Sequence, residues 1–156
     1  MIVGLGVDVC DVARIRRALA GRAGARFQAR VFTPAEQAYC EARRRGRFAS
    51  YAVRFAAKEA AMKALGTGWA GGVGWRDFEV VRARGAPPRL VLHGRAAALA
   101  RGRGMVRWLL ALTHTAESAL ASVVVEDGVS GAPGAARGAR RGGGGGSGRR
   151  RPRGRR

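Results

Sequence analysis

Apolar residues open the chain in an almost unbroken run. The run covers residues 2–9 and is rich in β-branched side chains, which predicts a buried strand. Asp11 follows it and fits the N-cap of a helix that ends near Ala20, with Gly21 as its stop. The apolar residues of this helix recur every three or four positions, at Val12, Ile15 and Leu19.

The clearest helix start lies at Thr33, where a capping box with Glu36 coincides with a proline at the first helical position. The pattern predicts this helix up to about residue 44. After a basic connector, a longer helix is predicted over about 48–65, and Gly66 ends it. Its apolar stripe consists of Tyr51, Phe55, Met62 and Leu65.

The second half of the chain alternates short apolar runs with turns. The predicted strands cover 78–81, 90–92, 106–112 and 119–125. The first two flank a turn at 85–88, and the alanine-rich stretch 94–101 predicts a short helix. Helices gathered against a mostly antiparallel sheet predict an α+β domain.

Positive charge is spread unevenly over the 156 residues. The chain has 30 Lys and Arg against 10 Asp and Glu, and nine of the arginines lie in 131–156, which has no acid. Glycine and repelling charges cannot build a core, so we expect a folded domain over 1–128 and a disordered basic tail over 129–156. The tail is a neutral extension or a tether for nucleic acid, and both interpretations stay open.

The sequence predicts a cytoplasmic protein. Asp8 interrupts the first apolar run, no basic region precedes that run, and no apolar run is long enough to span a bilayer. Cys10 and Cys40 are far apart and lack the spacing of a metal site, so we expect free thiols in a reducing compartment.

Two carboxylates stand where apolar residues are expected. Asp8 lies within the first strand and Glu59 lies on the apolar stripe of the long helix. Asp8 could instead cap the following helix, and Glu59 could form an ordinary surface pair with Lys63. If the two carboxylates meet, they suit Mg²⁺, which uses one or two protein carboxylates and completes its shell with water and substrate phosphates.

Basic and glycine-rich segments accompany the carboxylates. Arg54 and Lys58 lie one turn apart on the long helix, and the loop over 66–74 can bring backbone amides close to a phosphate. His114 follows a strand, where it is either structural or a ligand contact. Together they favour a nucleotide-like or pyrophosphate substrate.

These segments resemble the holo-acyl-carrier-protein synthases of the phosphopantetheinyl transferase superfamily. The matching segments are GLGVD at 4–8, ARI at 13–15, RFAAKEAA at 54–61, KALGTG at 63–68, LTHT at 112–115 and VVVE at 123–126. The resemblance covers about residues 1–127. It implies a compact α+β domain that forms a homotrimer, with the active site between neighbouring subunits.

The resemblance also implies roles for individual residues. It makes Asp8 and Glu59 the Mg²⁺ ligands and gives Lys63 a contact with the phosphates near the leaving group. The implied coenzyme A site consists of Arg54, Gly66, Thr67, Gly68, Pro87 and His114. Arg14 would contact the carrier protein. Ala86 stands where the family usually has a basic residue, and Thr115 stands where some relatives have an acid.

The implied reaction moves 4'-phosphopantetheine from coenzyme A to a serine of apo-acyl carrier protein, in fatty acid biosynthesis. It releases adenosine 3',5'-bisphosphate, and the serine proton goes to Glu59 or to a metal-bound water. A basic nucleic-acid-binding protein would explain the charge but neither carboxylate. A broad-specificity transferase of the same superfamily is usually a longer, two-lobed chain.

Overall fold

The computed structural model describes residues 1–68 and 71–128 and contains both helices and strands. The predicted basic tail lies outside the described residues. The elements are β1 (Ile2–Asp11), α1 (Val12–Ala20), α2 (Gly24–Val31), α3 (Pro34–Glu41), α4 (Arg47–Leu65), β2 (Phe78–Val81), β3 (Arg89–Leu92), α5 (Gly94–Gly102), β4 (Met105–His114) and β5 (Ser118–Asp127). No helix in the described part of the chain is long and apolar enough to cross a membrane.

Two antiparallel sheets support the helices. The larger sheet has the strand order β1-β5-β4, and β2 pairs with β3 in a separate hairpin. Helix α4 packs across β1 and β5, and alanines supply much of its contact surface because small side chains allow a close approach. The prediction of an α+β domain with antiparallel sheets is confirmed.

Two glycines of β1 allow that close approach. An ideal Cβ on Gly6 would lie 1.9 Å from the Ala60 carbonyl oxygen, and one on Gly4 would lie 2.5 Å from that of Ala64. Both distances are far below van der Waals contact, and both neighbours are backbone atoms of α4. Glycine is therefore required at these two alternate positions of the strand, where β1 crosses the helix.

Most of the predicted elements are present with shifted ends. Asp11 caps α1 by accepting hydrogen bonds from the amides of Ala13 and Arg14, and the Thr33–Glu36 capping box is formed. Helix α3 ends at Glu41, earlier than expected, because the basic connector continues as turns. The sequence pattern gave no prediction for α2, most of whose surface is exposed or half-buried and which carries two arginines, Arg26 and Arg30.

Candidate active site

The crossing of β1 and α4 brings Asp8, Glu59 and Lys63 to one place. The Lys63 ammonium nitrogen lies 2.8 Å from Asp8 Oδ1 and donates a second hydrogen bond, of 2.9 Å, to the carbonyl oxygen of Val7. Asp8 does not cap α1, since Asp11 does, and Lys63 pairs with Asp8 rather than with Glu59. Both ordinary interpretations of the two acids are therefore wrong.

Glu59 shares the electrostatic environment of Asp8. Partial burial raises the pKa of Glu59, and the negative charge of Asp8 raises it further, while Lys63 and Arg14 act in the opposite direction. Among the described residues, Glu59 has no hydrogen-bond partner. The result is a pair of carboxylates surrounded by two cations, with the oxygens of Glu59 free to bind.

The donor set suits one kind of metal ion. The described residues contain no group of three or more His, Cys, Asp or Glu side chains that could hold a metal. A structural zinc site, which needs four protein ligands, is thus not formed by them. Two carboxylates are enough for Mg²⁺, which leaves the rest of its shell to water and to substrate phosphates.

Arg14 stands at the rim of this acid pair. It lies on the exposed side of α1, and its guanidinium carbon lies 5.5 Å from the centre of the Phe55 ring on α4. Its charge lowers the pKa of Glu59, which places it within electrostatic reach of the carboxylates. The side chain can therefore contact a molecule that approaches the acid pair from solvent.

Lys58 is internal, unlike the phosphate-facing cation that its spacing from Arg54 suggested. Its ammonium group is fully buried, lies 2.8 Å from Glu36 Oε2 and donates to the carbonyl oxygens of Trp75 and Phe78. Glu36 in turn accepts hydrogen bonds from the amides of Thr33 and Val80. This buried pair ties α3, α4 and β2 together and cannot reach a ligand without leaving the core.

Arg54 and His114 meet in a second place, a cleft of about 320 Å³. Arg54 is only 3% exposed, and its Nε has no hydrogen-bond partner among the described residues. Pro88 lines the same cleft, while Pro87 lines an adjoining concavity that shares Tyr39 and Arg82 with it. Of the predicted coenzyme A residues, the cleft brings together Arg54 and His114, with Pro87 in the adjoining concavity. Gly66, Thr67 and Gly68 line neither of the two, and none of the acid-pair residues lines the cleft.

The glycine-rich loop begins where α4 ends, one turn beyond Lys63. Gly66 ends the helix with a left-handed φ of 74°, and Gly68 has a φ of 50°, so both positions favour glycine. Thr67 lies between them, and its hydroxyl donates to the Gly68 carbonyl oxygen at 3.2 Å. The loop therefore directly follows the C-terminal turn of α4, which contains Lys63.

Sequence reasoning missed Tyr39, Arg43 and Arg82, which line the cleft together with Arg54. They come from the end of α3, from the connector and from the residue after β2. Their separate patterns resemble those of ordinary surface residues, and only the fold places them together. Arg43 and Arg82 could have been found only by asking which basic residues follow the ends of neighbouring elements.

Comparison with known protein families matches residues 4–116 to the 4'-phosphopantetheinyl transferase superfamily. A curated relative from Anaeromyxobacter dehalogenans, a holo-[acyl-carrier-protein] synthase, is 56% identical over 128 residues, which are 81% of this chain and 97% of the relative. The crystal structure of a holo-[acyl-carrier-protein] synthase from Neisseria meningitidis has a TM-score of 0.70 and 30% identity, covering 81% of this chain and all of that one. A Bacillus anthracis holo-(acyl-carrier-protein) synthase in complex with CoA (3',5'-ADP) has a TM-score of 0.66 and 32% identity, covering 81% and 98%.

Proposed function

The chain belongs to the 4'-phosphopantetheinyl transferase superfamily, and on that premise we propose that it acts as a holo-[acyl-carrier-protein] synthase. It transfers 4'-phosphopantetheine from coenzyme A to a serine of apo-acyl carrier protein and releases adenosine 3',5'-bisphosphate. The observation that carries the proposal is the meeting of Asp8, Glu59 and Lys63 where β1 crosses α4. The reaction supplies the phosphopantetheine-bearing form of acyl carrier protein for fatty acid biosynthesis.

Asp8 and Glu59 would hold Mg²⁺, because their oxygens form a hard, anionic donor pair that leaves room for phosphate oxygens. Bound there, Mg²⁺ would supply Lewis-acid neutralisation of the pyrophosphate charge. The two carboxylates would determine where the ion binds. The close packing of Gly6 against Ala60 fixes the distance between β1, which carries Asp8, and α4, which carries Glu59.

Lys63 would stabilise the leaving group. The serine oxygen forms a bond to the phosphorus on the pantetheine side, and the bond from that phosphorus to the bridging oxygen breaks. Negative charge then develops on the phosphate of the departing adenosine 3',5'-bisphosphate, which the ammonium group of Lys63 can neutralise. The serine proton would go to Glu59, the carboxylate of the pair that no described residue engages in a hydrogen bond.

Coenzyme A would occupy the cationic cleft and the glycine-rich loop. Arg54 offers a buried guanidinium with an unpartnered Nε, and His114 ends β4 beside it. The loop at Gly66, Thr67 and Gly68 would contribute backbone amides near the phosphates, and the ring of Pro87 an apolar contact.

Arg14 would guide the carrier protein. Acyl carrier proteins are small and acidic, so an exposed arginine near the acid pair can attract and orient them. We expect Arg14→Glu to raise the KM for the carrier about tenfold or more, about 1.4 kcal/mol, while the KM for coenzyme A stays nearly unchanged. Carrier kinetics indifferent to this substitution and to added salt would move the docking surface elsewhere.

We further propose a homotrimer, the assembly that the family resemblance implies, and an uncovered apolar face of the larger sheet supports self-association. Leu5 is 64% exposed and Val9 is 61% exposed, and both lie on β1. Leu120, the Cα partner of Val9, is also exposed, and so is Leu109, which shares the Cα partner Val124 with Leu5. Burial against other copies would remove this surface from water.

A trimer would also allow the cleft of one subunit to face the acid pair of its neighbour, which would complete the active site. Sedimentation should show a trimer that Leu5→Glu dissociates with loss of transfer. A stable, fully active monomer would refute this arrangement.

The two buried, free cysteines fit a reducing compartment, and we propose a cytoplasmic location.

The proposed reaction is tested by following the release of adenosine 3',5'-bisphosphate from coenzyme A by chromatography. Release should require both apo-acyl carrier protein and Mg²⁺, and Lys63→Gln should lower kcat about 100-fold, the usual loss when one charge-stabilising donor is removed. Arg101→Gln, an exposed residue of α5, is the matched control and should leave kcat unchanged. Release of adenosine 3',5'-bisphosphate in the absence of carrier protein would contradict the proposal. Release by the Lys63→Gln variant at the wild-type rate would contradict it as well.

A further inference from the structure

Helix α5 packs against the glycine-rich loop and presents three residues to it. Arg95 and Leu99 of the helix and its C-cap Arg103 follow one another at intervals of four, which places them on one face. Ala96 and Ala100, on the neighbouring face, are buried and attach α5 to the core. The face that carries the two arginines therefore has a rigid support.

Arg103 holds the end of α4, where the loop begins. A helix leaves the carbonyl groups of its last turn without partners inside the helix. The Gly66 amide donates to the carbonyl oxygens of Met62 and Lys63. The carbonyl oxygen of Leu65, the last helical residue, accepts instead from Nη1 of Arg103, and a cation there also suits the negative end of the helix dipole. An ideal Cβ on Gly66 would lie 3.6 Å from the same Nη1, so the guanidinium lies directly beside the first residue of the loop.

Arg95 and Leu99 contact the loop further along the chain. Arg95 Nε donates a long hydrogen bond, of 3.4 Å, to the carbonyl oxygen of Gly71. An ideal Cβ on Gly71 would lie 3.5 Å from Leu99 Cδ1 and 2.8 Å from two carbon atoms of Thr67. Thr67 thus packs on Gly71, and α5 contacts the loop both at its start and beyond this packing contact.

We propose that Arg103 and Arg95 are positioning residues for the glycine-rich loop, and that Arg103 has the larger effect because it holds the end of α4 that carries Lys63. The inference rests on the proposed function, in which the loop and Lys63 contact the phosphates of coenzyme A. Glycine restricts the backbone little, so a loop with glycine at 66, 68, 71, 72 and 74 needs outside hydrogen bonds to keep one geometry. Neither arginine lines the cationic cleft, so we assign their effect to the backbone that they hold.

The kinetics of Arg103→Met test this role, because methionine keeps much of the aliphatic side chain and removes the hydrogen-bond donor. The KM for coenzyme A should rise about tenfold, since a displaced loop loses its contacts with the phosphates, and the KM for carrier protein should stay nearly unchanged. Arg95→Met should have a smaller effect, because its hydrogen bond is longer. Arg103→Lys keeps a charged donor at the helix end and should recover most of the loss. Arg101→Met, at an exposed arginine of the same helix, is the matched control and should behave as the wild type.

Hydrogen exchange of the Gly66 amide, followed by NMR in the ligand-free protein, measures the loop without relying on catalysis. Loss of the Arg103 hydrogen bond loosens the helix end to which this amide belongs, so exchange in Arg103→Met should be about tenfold faster. Amides of the larger sheet should keep their wild-type rates, because they exchange through wider openings of the fold.

The two measurements together decide the inference. Faster exchange at Gly66 with a raised KM for coenzyme A would support it. A raised KM with unchanged exchange would overturn it, since Arg103 would then act on the ligand itself. An unchanged KM, or faster exchange throughout the larger sheet, would also overturn it. Absence of transfer by the wild-type protein would instead overturn the proposed function, while the exchange rates would still show whether Arg103 holds the loop.

Discussion

Replacement of Gly6 by alanine tests whether the packing of β1 on α4 builds the active site. The added Cβ would lie 1.9 Å from the carbonyl oxygen of Ala60 and 2.9 Å from the amide nitrogen of Ala64. A close carbon–oxygen contact needs about 3.3 Å, so the two backbones must separate by roughly 1.4 Å. No side-chain rotation can relieve this contact, because the opposing atoms are all main chain.

The separation has two measurable consequences. Overpacking in a core costs about 1–3 kcal/mol and occasionally more, and we expect Gly6→Ala at the upper end of that range because both elements are rigid. Asp8 lies two residues further along β1, so its 2.8 Å contact with Lys63 would be lost or lengthened. A misplacement of about 1 Å at reacting groups can lower the rate about 100-fold, which is the loss expected here.

Urea unfolding and the transfer rate measure these two effects, and Gly102→Ala provides the matched control. An added Cβ at Gly102, the last residue of α5, meets nothing within 4 Å, so the same substitution should be neutral or stabilise by up to about 1 kcal/mol. Transfer by this control should match the wild type. A Gly6→Ala protein with wild-type stability and rate would refute the proposed role of the strand–helix contact.

Three further predictions concern the acids, the tail and the thiols. Asp8→Ala and Glu59→Ala should each abolish transfer without unfolding the domain, and a rate within a few-fold of wild type at limiting Mg²⁺ would contradict the site. A chain ending at Gly131 should retain full transfer activity, since the removed residues lie outside the family match; a folded but inactive truncation would show that the tail takes part. Burial raises the pKa of Cys10 to about 11 and that of Cys40 to about 12, so both thiols should resist alkylation at pH 8 in the native protein and react quickly once it is unfolded; rapid native alkylation would contradict their burial.

The acid pair could be predicted because each carboxylate interrupts a regular apolar pattern. Asp8 and Glu59 stand out in a strand and in a helix, and the structure brings them together. The capping box at Thr33 was equally predictable, since it depends on residues three apart. Local spacing was sufficient in these cases because the relevant partners are close in sequence or fit a simple periodicity.

The role of Lys58 could not be predicted in the same way. Helix α4 is buried on nearly all sides, so its periodicity does not distinguish an internal lysine from one that faces a ligand. Its partner Glu36 lies on another helix, and only the tertiary fold shows that the pair is enclosed. The cleft of Tyr39, Arg43 and Arg82 was missed for the same reason, because Arg82, which follows β2, is distant in sequence from Tyr39 and Arg43.

The central claim is that this chain places phosphopantetheine on a carrier protein, and intact-mass spectrometry of the carrier tests it most directly. Purified protein is incubated with apo-acyl carrier protein, coenzyme A and Mg²⁺, in parallel with the Glu59→Gln variant and with Glu126→Gln, a surface residue paired with Arg107, as control. We expect the carrier to gain the mass of one phosphopantetheine group on its serine with the wild type and the control, and to remain unmodified with Glu59→Gln. An unmodified carrier in the wild-type reaction, or equal modification by Glu59→Gln, would contradict the account.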